Sequence, residues 1–88
     1  MTVKEQREIM FLEIEEHFMV KDFLESIEAN AESPGEKELD MLWRWFIKRK
    51  QASRLIVYGH PVTRIHLAMF IKYRFNESWY MDFQKTKS

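Results

Sequence analysis

The sequence predicts an all-α fold: one small domain, a compact bundle of four or five short helices. Three observations lead there. Apolar residues recur at three- and four-residue spacing through most of the chain, and helix-capping signals recur at short intervals. The one β-favouring stretch, Arg54 to Tyr58, is brief and has no evident strand to pair with. Eighty-eight residues suit a single core, and 45% apolar with 15% aromatic content lies well outside the regime of disorder. The domain is expected to span 1–83, with a basic, disordered tail over 84–88.

Thr2 and Glu5 have the spacing of a capping box, so a helix should follow. Its apolar residues change face part-way. Met10, Phe11, Ile14 and Phe18 share one side, whereas Val20, Phe23, Leu24 and Ile27 lie more than a quarter turn away. Asp22 and Glu25 repeat the box spacing at the changeover. Two helices, about 3–18 and 22–31, or one helix kinked near 19–21, would explain the shift. An uninterrupted helix over 3–31 is the alternative, since no Gly or Pro intervenes.

Ser33 reads as the next N-cap, with Pro34 in the first helical position and Glu36 completing the box. That helix carries Leu39, Leu42, Trp43 and Phe46 on one face. Arg54 to Tyr58 is read as helix ending at Gly59, a residue suited to a left-handed cap. His60 would then cap a further helix with Pro61 at its start, apolar almost all round and therefore central or covered by a partner. A last turn over Glu77 to Phe83 would carry Trp79, Tyr80 and Phe83.

Composition excludes several classes of function. The early charges do not fit a secretory leader, and the longest charge-free runs, Leu55 to Thr63 and Ile65 to Ile71, are far below the roughly 20 residues of a membrane span. Cytoplasmic residence is the expectation. With no cysteine there is no disulfide or thiolate site, and two glycines cannot build a phosphate-cradling loop. None of the five serines has a nucleophile context, and the carboxylates have solvent-face spacing, so no catalytic residue is assigned. The histidines are His17, His60 and His66; only His17 has a carboxylate at ligand spacing, Glu13, so no metal or other cofactor is expected.

The net charge of zero conceals a division. Residues 1–42 hold four Lys/Arg against twelve Asp/Glu, a net of −8, and residues 43–88 hold ten against two, a net of +8. Internal neutralisation is the plain explanation, each exposed pair contributing about 0–1 kcal/mol. A partner is the other. Thirteen aromatics are many for one small core, and Trp43, Arg44, Trp45, Lys48, Arg49 and Lys50 interleave rings with cations, so a docking surface is expected there. The expected function is a non-enzymatic binding or regulatory protein, of the small accessory or inhibitor type found in bacteria and phages. It would dock on a protein partner and could pair with itself as a dimer. The alternative is a nucleic-acid-binding regulator with a degenerate helix-turn-helix in residues 51–74, touching phosphate through Lys48, Arg49, Lys50, Arg54, Thr63, Arg64, Lys72 and Arg74.

Overall fold

The computed structural model describes residues 2–75 and is all-helical but for one short hairpin. The elements are α1 (Val3–His17), α2 (Val20–Ser26), α3 (Glu36–Ala52), β1 (Ile56–Val57), β2 (His60–Pro61) and α4 (Arg64–Arg74). The turn expected over Glu77 to Phe83 and the 84–88 tail lie outside the described residues.

Helix α1 starts as its capping box dictates. The Thr2 side chain accepts from the Glu5 amide at 3.1 Å, and its hydroxyl donates to the Glu5 carboxylate at 3.2 Å. The changeover of apolar stripe is a true break. Phe18 ends α1, and Met19 takes the left-handed conformation (φ 53°, ψ 47°) without help from glycine. Helix α2 ends earlier than the expected residue 31, in a Schellman arrangement: Glu28 is left-handed, its amide reaches the Glu25 carbonyl, and the Ala29 amide reaches Leu24.

Helix α3 begins two residues later than the sequence suggests. The Asn30 side chain accepts from the Glu32 and Ser33 amides, Pro34 is buried, and Gly35 is the N-cap. A Cβ at Gly35 would meet only the far end of the Glu38 side chain, which can swing away, and its φ of −74° suits any residue. The core face of α3 is the expected one: Leu39, Leu42, Trp43 and Phe46 are all buried.

The chain between α3 and α4 corrects the sequence reading most. Arg54 to Tyr58 is not helix. Ile56 pairs with Pro61 and Val57 with His60, so the β-favouring residues do have a partner, four residues on. Tyr58 and Gly59 turn the hairpin with positive φ at both positions (54° and 77°), the requirement of a type I′ turn. Pro61, lacking an N–H, sits in β2 and not at a helix start. The α4 N-cap is Thr63, whose amide donates to His66 Nδ1 at 2.9 Å; a histidine thus fills the capping-box position usual for Glu or Gln.

All four helices and Val62 feed one core. Its centre is Phe70, which meets Phe11 at 5.6 Å, Phe46 at 5.9 Å and Phe75 at 5.8 Å, each edge to face. Phe46 meets Phe18 in the same way at 5.1 Å. Such edge-to-face packing lets many rings share a small volume. Of the ten described aromatics only Tyr58 and Tyr73 are exposed, so the expected surplus of surface rings is absent among the described residues.

Candidate functional site

Helix α3 separates the two kinds of residue that the sequence interleaves. Consecutive helical residues point 100° apart, so rings at 43 and 46 can face inward while 44 and 48, one turn from each other, face out. Trp43 is 7% exposed and belongs to the core, with the Arg64 guanidinium 5.8 Å from its ring. Trp45 is half-buried and stacks on Phe23 at 4.9 Å. Its indole Nε1–H donates to the Phe18 carbonyl at 2.6 Å, one of the groups orphaned where α1 ends. Trp43 is held by the core, and half-buried Trp45 by the break after α1. Arg44 and Lys48 are exposed, and Arg49 and Lys50 half-buried, Arg49 lying 5.2 Å over Trp45. The expected docking set therefore reduces at the surface to its cations.

The wider set is spread out. Arg54, Thr63 and Arg64 are exposed on either side of the hairpin; Lys72 is half-buried, 5.1 Å from the Tyr73 ring, and Arg74 pairs with Glu15. No helix-turn-helix exists in residues 51–74: the hairpin stands where its first helix and turn would be, since left-handed Tyr58 and Gly59 reverse the chain.

Charge is not cancelled across the fold. Arg74 to Glu15, at 3.3 Å, is the single ion pair among the described residues. The α1 glutamates (5, 8, 13, 15 and 16) lie on the side away from its buried stripe, and Arg44 and Lys48 face outward from α3. The two signs are not fully separated, since Glu36, Glu38 and Asp40 share α3 with the cations and Asp40 lies one turn before Arg44.

A groove of about 650 Å³ lies where α1, the hairpin and α4 meet. Val3, Gln6, Arg7 and Met10 contribute from α1, Val57 to Val62 from the hairpin and its exit, and His66 and Met69 from α4. It exists because the buried stripe of α1, Met10 and Ile14, continues to Val3 beyond the reach of the core; Val3 is 80% exposed. The sequence reading put Met10 and Ile14 on one side of the helix but did not extend that line to Val3, which falls on it.

The histidines have separate surroundings: His17 Nε2 lies 3.3 Å from the Ser53 hydroxyl, His60 is in β2 and His66 caps α4. Among the described residues no three His, Cys, Asp or Glu side chains come together as metal ligands, and no helix is long and apolar enough to cross a membrane. Comparison with protein-family models, curated proteins and solved structures found no match to this chain.

Proposed function

We propose that this is a non-enzymatic, cytoplasmic binding protein of the accessory or inhibitor type, which docks the outward face of α3 on an acidic protein surface. Arg44 and Lys48 lead the contact, with Arg49 over the Trp45 ring at their flank and Trp43 and Lys50 on the other side of the helix. The observation that carries this reading is that Arg44 and Lys48 stand exposed one turn apart on α3, with Asp40, a turn before Arg44, as the one carboxylate of that helix at pairing distance in sequence. A face richer in cations than in carboxylates steers and orients an acidic partner. A second copy of the chain brings such an acidic face, so a dimer is one form of the same interaction.

The test is recovery of interacting proteins from host lysate by the natural chain and by Arg44→Glu with Lys48→Glu, at low and physiological salt. The reading expects a partner held in a salt-sensitive way and lost to the double variant, whose melting temperature stays unchanged. Sedimentation of the purified chain identifies the partner as a second copy if the natural chain is dimeric and the variant monomeric. A partner retained equally by both proteins refutes the assignment of this face.

A further inference from the structure

We propose that the groove between α1, the hairpin and α4 is a binding site for an apolar chain ending in a single carboxylate, of the medium-chain fatty-acid type. Its walls are Val3, Met10, Val57, Pro61, Val62 and Met69. Two methionines make such a wall adaptable to a flexible chain. The volume suits the ligand: at roughly 30 Å³ for each of its dozen heavy atoms, decanoate takes up about 350 Å³, and ligand clefts commonly measure 300–1,000 Å³.

Charge selects the head group. Among the described residues Arg7 is the one Lys, Arg, Asp or Glu lining the groove. It sits in a helix with five glutamates, yet the positions three and four residues away hold Val3, Lys4, Met10 and Phe11, so no glutamate of α1 can reach it. The Tyr73 ring lies 4.5 Å from its guanidinium carbon, which steadies the planar group and leaves its edge N–H donors for a carboxylate. His66 adds a donor. Because its Nδ1 accepts the Thr63 amide, the neutral ring must carry its hydrogen on Nε2. A fork of donors beside an apolar trough is complementary to one carboxylate on one alkyl chain.

Methyl NMR spectra of the full chain, titrated with sodium decanoate below its micelle-forming concentration, test the proposal. Decanol, with the same chain and no charge, is titrated in parallel. The expected result is saturable shifts at Val3, Met10, Val57 and Met69. Binding should weaken about tenfold for decanol and for Arg7→Gln, the loss of one charge-assisted contact. Arg44→Glu with Lys48→Glu should change nothing, which keeps this site separate from the α3 face. No saturable shift at the four residues overturns the proposal. So does decanol binding as well as decanoate, a comparison that needs no variant, or a concentration-dependent rise in mass that shows a second copy filling the groove.

Discussion

Replacing Trp45 with phenylalanine keeps a ring over Phe23 and removes one hydrogen bond, which makes it a sharp probe of how the break after α1 is held. The indole N–H donates to the Phe18 carbonyl at 2.6 Å, and no helical amide serves that oxygen because Met19 has turned left-handed. An unsatisfied buried acceptor costs about 1–3 kcal/mol. Trp45 is half-buried, so water can partly replace it, and the low end applies. The smaller ring forfeits roughly another 0.5–1 kcal/mol of burial. The expected loss is about 2 kcal/mol, or about 8–15 °C in melting temperature for a domain of this size. Trp45→Ala also loses the stacked pair at 4.9 Å and should cost about 3–5 kcal/mol, a large part of a small domain's stability. Urea unfolding followed by far-ultraviolet circular dichroism measures both, with the denaturant slope unchanged. A phenylalanine variant within about 0.5 kcal/mol of the natural chain, and an alanine variant losing under about 1 kcal/mol, would refute the reasoning. Trp45 would then be a surface ring free to meet a partner, the role its sequence context suggests.

Met19→Gly should stabilise the domain by about 0.5–1 kcal/mol, since relief of a left-handed L-residue outweighs the entropy glycine adds to the unfolded chain; Met19→Ala should not, and thermal melts of the pair decide it. His66→Gln should hold stability within experimental error by keeping a capping acceptor, while His66→Ala should lose about 0.5–1 kcal/mol in urea unfolding. Phe70→Ala should cost about 3–5 kcal/mol, because three ring contacts meet at that side chain, and near-ultraviolet dichroism should weaken with it; a loss under 1 kcal/mol would show that the rings repack around the gap.

The parts of the fold legible in the sequence are those where one physical signal acts alone. The inward face of α3 follows from an unbroken helical period, and Leu39, Leu42, Trp43 and Phe46 are all where that period puts them. The break between α1 and α2 was visible as a displaced stripe, although its residue was not, because an αL methionine carries no signature. The hairpin was hidden for a similar reason. A type I′ turn is announced by Asn-Gly or Asp-Gly, and here the first of the two residues is Tyr58. Both prolines misled in the same direction, since a proline that could open a helix can equally be buried in a loop, as Pro34 is, or sit in a strand, as Pro61 does. His66 escaped notice because the capping-box pattern names Glu and Gln, yet a neutral imidazole accepts a backbone hydrogen bond equally well.

The candidate surface was half legible. Alternation of rings and cations along Trp43 to Lys50 reads on paper as one mixed patch, but the turn of the helix sends neighbours to different faces. Most of the rings go to the core or to the α1 break, and the leading cations go to solvent. Asp40, one turn before Arg44, is the local carboxylate on that face, and Lys48 lies a further turn on. Exposed charges more than about 8 Å apart are largely screened in physiological salt, so a net charge of zero by itself gives those cations little relief. The one ion pair among the described residues, Arg74 to Glu15, joins the two halves at the end of α4. Helix α3 lends no described side chain to the groove, so the two proposed sites do not overlap and each has its own test substitutions. Coupling between them would have to pass through the shared core, where Phe46 of α3 meets Phe70 of α4 at 5.9 Å.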